Sequence, residues 1–188
     1  AFSRMNMVAG WVGGLAVAGW AIVLNVAAII FMVPLGIGAA ASVLVAGAHG
    51  ADDRTGVARA GTAAFSLTLA FTALTTVVVW FGASLIAGLY TPDPALMALV
   101  AGALGLACLF FVADGLQVVG SHALRARGDI FVPTLIQILS YSAVMLPLGW
   151  AMALPFGLGL NGIVLAVTVA SFISAGLLVG RFWGLAER

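Results

Sequence analysis

The sequence has 188 residues, of which 64% are apolar and only 7% are charged. This composition excludes an ordinary soluble domain and is typical of a protein embedded in lipid. The net charge is +1, and the seven arginines form no cluster that could contact phosphates, so we expect no nucleic acid partner.

Long charge-free runs mark the predicted membrane spans. Three of them cover residues 5–51, 60–92 and 130–180, and a helix needs about 20 residues to cross the hydrocarbon core. The first and third runs each fit two helices, because a Gly-Gly pair at 13–14 and the sequence PFGLG at 155–159 interrupt them. We therefore predict a partial helix over 1–12 and full spans near 15–48, 57–89, 94–125, 129–153 and 160–184.

These spans predict an all-α polytopic membrane helix bundle, with residues 1–188 forming a single lobe. Lipid offers no hydrogen-bond partners to an exposed backbone, so a spanning segment must be a helix or part of a closed barrel. Barrel strands alternate in polarity, whereas residues 63–81 are largely apolar on every face. The lipid bilayer is therefore the first expected partner of this chain.

The arginines predict the orientation of the bundle. Three connections on one side carry basic residues, whereas the opposite turns near residues 13, 92 and 157 carry none. Because basic loops remain in the cytoplasm, that side and the C-terminus are expected to be cytoplasmic. Arg4 is the exception, since it lies in the partial helix and either faces an aqueous interior or belongs to a displaced, truncated end. The six arginines that set the orientation are Arg54, Arg59, Arg125, Arg127, Arg181 and Arg188.

The third full span contains the candidate ion site. Asp114 is the only charged residue between positions 94 and 124, and eleven residues, or about 16 Å, separate it from Arg125, which places it near the bilayer midplane. Gln117 and Ser121 follow at i+3 and i+7, on the same helix face. Intramembrane acids usually serve ions or substrates, so we predict proton or cation coupling at Asp114 and Gln117. The alternative is a structural carboxyl that is hydrogen-bonded to a neighbouring helix.

Four further polar residues are candidates for lining a cavity. Asn25 lies on the first full span, and Gln137, Ser140 and Tyr141 lie on the fourth. Hydrogen bonding between helices is the commoner role of such residues, so both interpretations stay open.

Two prolines are candidate hinges, and the histidines are not metal ligands. Pro34 and Pro147 lie inside predicted helices and each removes a backbone hydrogen bond, which favours a kink. His49 and His122 have no metal-ligand partners at suitable spacing. No metal site is therefore assigned, and no cofactor is expected.

Three segments of the chain resemble the multidrug and toxic compound extrusion (MATE) family. Residues 24–53, with PLGIG at 34–38, resemble its eighth helix and the loop that follows. DGLQVV at 114–119 and LRARGD at 124–129 are similar to the tenth helix and its cytoplasmic exit. Pro147 and GLGLNG at 157–162 are similar to the end of helix eleven and the start of helix twelve. The resemblance covers essentially the whole chain, which would correspond to the end of the family's helix seven and to its helices eight to twelve.

The resemblance implies the C-terminal lobe of a secondary antiporter that exports organic cations or drugs in exchange for H⁺ or Na⁺. Such carriers bind substrate between two six-helix lobes, so an N-terminal lobe is an expected partner together with a small, cationic substrate. The implied location is the bacterial inner (plasma) membrane. In some bacterial members the acid of helix ten belongs to the cation site, and it corresponds to Asp114.

The chain also departs from the family pattern. His122 and Ala126 stand where the helix-ten loop has glycines, and an acid that some members use on helix seven would fall before Ala1. Because of these departures, the sequence leaves open whether the chain has the sodium ligands of the family.

Three other classes of protein are the alternatives. A flippase of lipid-linked sugars would share the bundle but would need cations in its cavity to hold a pyrophosphate, and Arg4 is the only candidate. A membrane-embedded enzyme would need convergent nucleophiles or metal ligands, which one acid and two rim histidines do not supply. A structural membrane subunit without transport activity remains the other alternative.

Overall fold

The computed structural model describes the backbone of residues 2–186 and the side chains of residues 6–185. This part of the chain is almost entirely helical and contains no strand. The Arg4 side chain lies outside the described set, and so does Arg188. The helices are α1 (Phe2–Val12), α2 (Gly14–Gly50), α3 (Arg54–Tyr90), α4 (Pro94–Ala126), α5 (Phe131–Ile138), α6 (Leu146–Ala153) and α7 (Gly159–Ala186), and a π-helical segment (Leu139–Met145) joins α5 to α6.

Five helical stretches are long and apolar enough to cross a membrane: α2, α3, α4, the continuous stretch Phe131–Ala153, and α7. This confirms the predicted all-α membrane bundle. The stretch Phe131–Ala153 differs from the expected regular helix, because seven of its residues are π-helical.

Short local signals set the helix ends. The Asp53 carboxylate accepts a hydrogen bond from the Gly56 amide, 2.9 Å away, and so caps the start of α3. Asp93 caps α4 in the same way, and Pro94 occupies the first helical turn, where a missing N–H costs nothing. Gly13 separates α1 from α2 with φ at 142°, a conformation that side chains with a Cβ rarely adopt.

Helix α4 lies at the centre of the bundle and packs against α2, α3 and α7. Small residues permit the close approach, as is usual between membrane helices. A Cβ at Gly115 would lie 2.9 Å from methyl groups of Thr68 and Thr72 on α3, and a Cβ at Gly120 would lie 3.3 Å from Leu178 on α7. The helix that carries Asp114 is therefore held on three sides.

The arginine-bearing connections lie together at one end of the bundle. His49, Arg54, Arg127 and Leu185 line one small cavity there, and the Arg127 Nη2 donates to the Leu185 carbonyl oxygen at 2.7 Å. Burial and the nearby Arg54 lower the pKa of Arg127 below its usual value. The turns between α1 and α2 and between α6 and α7 line another cavity instead. Which end faces the cytoplasm stays a prediction.

Candidate functional site

A cavity of about 530 Å³ opens between α2, α4 and the α5–α6 stretch. Its walls are mainly apolar, with aliphatic and aromatic side chains from α2 and α4, and four polar side chains contribute the remainder. Apolar cavities with a few convergent polar groups are the usual form of small-molecule sites. The lining residues are Leu24, Ala27, Ala28, Phe31, Phe110, Val118, Asp114, Gln117, Gln137 and Tyr141.

Asp114, Gln117 and Tyr141 form a hydrogen-bonded cluster in the wall of this cavity. The Gln117 Nε2 donates to Asp114 Oδ1 at 2.6 Å and also to the Tyr141 hydroxyl oxygen. The Tyr141 hydroxyl lies 3.3 Å from the same Asp114 oxygen and 3.3 Å from Ser171 Oγ on α7. The cluster therefore joins α4, the π-helical segment and α7 around one carboxyl group.

The position of the cluster follows from simple helix geometry. Asp114 and Gln117 are three residues apart on α4, so they lie on one face and can bond directly. Gln117 is 3% exposed, and its Oε1 is buried without a hydrogen-bond partner among the described residues. A buried, unpaired carbonyl oxygen is costly, so its presence beside an acid is consistent with a functional site.

Asp114 and Tyr141 are the only titratable side chains in the lining as described. Gln137 connects the cavity to the arginine-bearing end, because its Oε1 lies 3.3 Å from the Arg125 Nη2. Within the residues that the structure describes, no three His, Cys, Asp or Glu side chains lie close enough together to hold a metal ion. The chemistry of the site accordingly depends on one carboxyl group and its hydrogen bonds.

The structure brings four of the six polar candidates together and leaves two outside. Asp114, Gln117, Gln137 and Tyr141 line the cavity, whereas Asn25 and Ser140 do not. The Asn25 Oδ1 accepts a hydrogen bond from the Tyr90 hydroxyl at 2.6 Å, which fastens α2 to the end of α3.

Ser140 is 2% exposed and is buried inside the bundle. The contact of Asn25 between helices fits the alternative interpretation, and cavity lining by Asn25 and Ser140 stays a prediction. Ser171 was missed, although Thr168, Ser171 and Ser174 follow one another at a spacing of three and give α7 a small polar stripe.

Both hinge candidates adjoin the cluster. Pro34 is buried in α2, and its ring lies 3.4 Å from the position of a Cβ on Gly115, the residue that follows Asp114. Pro147 lies in the first turn of α6, directly after the π-helical segment that carries Tyr141. Pro34 thus lies close to the turn of α4 that carries Asp114, and bending at either proline stays a prediction.

Comparison with known proteins identifies the family. The family model described as MatE matches residues 2–151. Over 97% of its length the chain is 48% identical to the probable multidrug resistance protein NorM of Caulobacter vibrioides, of which it covers 39%. It is 37% identical to the multidrug resistance protein NorM of Burkholderia vietnamiensis over 96% of its length, covering 40% of that protein.

The fold agrees with this assignment. The crystal structure of the eukaryotic MATE transporter AtDTX14 superposes with a TM-score of 0.90 at 20% identity, covering 99% of this chain and 43% of the other. The chain therefore spans about two fifths of the length of the proteins it matches. On the family match, the sequence identity and the shared fold, the chain belongs to the MatE family of multidrug and toxic compound extrusion transporters.

Proposed function

We propose that this chain is the C-terminal lobe of a multidrug efflux antiporter that exports organic cations in exchange for H⁺ or Na⁺. Asp114, with Gln117 as its hydrogen-bond partner, is the coupling site. The observation that carries the proposal is a lone carboxyl group in the wall of a largely apolar cavity within a membrane bundle. The relatives named as multidrug resistance proteins support the substrate class.

The cavity suits an amphipathic cation. Phe31 and Phe110 provide aromatic surface, and Asp114 is the only side chain in the described lining that carries a formal negative charge. Aromatic faces attract cations, and a carboxylate in an apolar wall interacts with them more strongly than it would in water. A proton that neutralises the carboxylate removes this attraction, so ion binding and substrate binding oppose each other.

The same lining argues against transport of lipid-linked sugars. None of the lining residues that the structure describes is an arginine or a lysine, whereas a pyrophosphate group needs cationic partners. Alternating access in secondary transporters involves two repeats around a central site. The lobe supplies one wall of that site, and the preceding helices of its longer relatives are the expected source of the other. We place the carrier in the bacterial inner membrane with the C-terminus in the cytoplasm.

The decisive experiment is drug-for-ion exchange in proteoliposomes that contain the complete carrier. An ion drives transport only when it binds the two states of the carrier with different affinity. Asp114→Asn mimics the neutral acid permanently, so we expect loss of efflux driven by a pH or sodium gradient, together with weaker binding of a fluorescent cationic dye that no longer depends on pH.

Asp52→Asn is the matched control for this exchange. Asp52 is exposed in the turn between α2 and α3, and its φ of 54° suits asparagine. This variant should transport normally. Full coupled transport by the Asp114→Asn variant at equal incorporation would show that Asp114 is structural and would refute the proposal.

A further inference from the structure

The Tyr141 hydroxyl lies near two acceptors on different helices, the Asp114 carboxyl on α4 and the Ser171 hydroxyl on α7. Its oxygen lies 3.3 Å from Asp114 Oδ1 and 3.3 Å from Ser171 Oγ. A phenol carries one hydrogen, so a strong bond to one acceptor weakens the bond to the other. An ionised carboxylate is a much stronger acceptor than a serine hydroxyl or a neutral acid. The charge on Asp114 therefore decides to which helix, α4 or α7, the Tyr141 hydroxyl donates.

Tyr141 also lies on an unusual piece of backbone. Residues Leu139–Met145 are π-helical, and no other segment of the described chain is. π-Helical turns are rare and frequently occur at functional sites. Pro147 follows immediately and has no N–H to donate to the carbonyl one turn before it. The segment thus has a weakened backbone ladder and depends on side-chain contacts for its position.

We propose that Tyr141 is a positioning residue that links the charge on Asp114 to the hydrogen bonding between the π-helical segment and α4. While Asp114 is ionised, the Tyr141 hydroxyl donates to its carboxylate and so adds a bond to the one that it accepts from Gln117 on α4. When a hydronium ion in the cavity gives its proton to a carboxylate oxygen, a water molecule is released and the negative charge is lost. The hydroxyl then turns to Ser171 on α7, the helix against which the segment packs, and the segment loses one of its hydrogen bonds to α4.

The inference rests on the proposed function only in taking Asp114 as the group that binds the proton. Tyr141 is the one titratable side chain in the described lining that faces this carboxyl. Helix α2 presents aliphatic and aromatic residues to the cavity, α3 presents Thr68 and Thr72 beside Gly115, and α7 presents Ser171. The response of the segment to pH therefore has one source.

Amide hydrogen exchange of the complete carrier in lipid nanodiscs tests the inference directly. Exchange of the peptide that spans residues 139–145 is measured at two pH values, one above and one below the pH at which transport is half-maximal. The rates are corrected for the intrinsic pH dependence of amide exchange. In the wild type we expect exchange about tenfold faster at the lower pH, the factor that corresponds to loss of one hydrogen bond to a charged group. Equal corrected rates at the two pH values would overturn the proposal without any variant.

Three variants assign the effect to named groups. Tyr141→Phe removes only the hydroxyl and Asp114→Asn removes only the charge, so both should exchange fast at both pH values. Ser171→Ala removes one hydroxyl from the same cluster without touching Asp114, and it should keep slow exchange at the higher pH. A pH response of wild-type size in Tyr141→Phe would refute the role of Tyr141. Fast exchange of Ser171→Ala at the higher pH would refute it as well.

These outcomes remain separable from those of the transport experiment. If Asp114→Asn keeps coupled efflux while the exchange pattern is as expected, the proposed coupling role fails and the proton-dependent hydrogen bonding stands. If Asp114→Asn abolishes efflux while Tyr141→Phe responds to pH as the wild type does, the coupling role stands and the inference about Tyr141 fails.

Discussion

Replacement of Gly162 by alanine should destabilise the bundle, although alanine is the better helix former. Gly162 lies on α7, where an added Cβ would come within 2.7 Å of the carbonyl carbon and oxygen of Met152 and 2.8 Å of the Ala153 nitrogen. These are backbone atoms at the end of α6, and they cannot rotate away as a flexible side chain would. Overpacking of this kind costs roughly 1–3 kcal/mol, against a helix-propensity gain of about 1 kcal/mol. We expect a net loss of about 1 kcal/mol, within a range of about 0 to 2.

Gly176 on the same helix provides the matched control. No heavy atom lies within 4 Å of the position that its Cβ would take, so Gly176→Ala should gain up to about 1 kcal/mol from helix propensity. Because the propensity gain is common to both variants, they should differ by the overpacking cost alone, about 2 kcal/mol. Unfolding in mixed detergent micelles, followed by the helical circular dichroism signal, measures the difference. Equal stability of Gly162→Ala and Gly176→Ala would show that α6 and α7 are not packed as closely as described.

Three further predictions concern orientation, completeness and surface charge. A cysteine introduced at Gly128 should react only with membrane-permeant reagents in intact cells, whereas one at Leu158 should react with impermeant reagents, and the reverse labelling would overturn the orientation. The isolated chain in liposomes should show no ion-driven efflux of cationic dyes, because it supplies one wall of the site, and robust efflux would contradict the half-transporter proposal. Arg181→Gln should lower the free energy of unfolding by at most about 1 kcal/mol, because the 2.5 Å ion pair between Arg181 and Asp129 is partly exposed. The loss should be smaller at high salt, which screens the pair, and a loss independent of salt would contradict this.

The fold was largely predictable because lipid imposes simple rules on the sequence. Charge-free runs and glycine or proline breaks suffice to find spans, since every backbone group must be satisfied within a helix. The π-helical form of Leu139–Met145 was not predictable. Its residues are ordinary helix formers apart from the nearby Pro147, and the deviation depends on packing between helices.

The site was predictable only as far as a single helix extends. Asp114 and Gln117 could be placed on one face because they lie on the same helix at a spacing of three. The convergence of Tyr141 and Ser171 on Asp114 joins three separate helices, and helical periodicity carries no information about which helices meet. The two interpretations of Asn25 could not be separated for a related reason, because an apolar span does not reveal which of its faces meets a cavity and which meets a neighbouring helix.

The central position of α4 has a consequence for the biosynthesis of the bundle. As the chain is made from its N-terminus, α2 and α3 are already in the membrane when α4 emerges, so two of the three contact surfaces of α4 can form at once. The third waits for α7, the last helix of the described chain. Until then Gly120, which packs against Leu178, lacks the cover of α7. The helix that carries Asp114 therefore gains its third contact surface only once α7 has been made, and a ribosome that stalls before α7 leaves this surface exposed to lipid or to membrane chaperones.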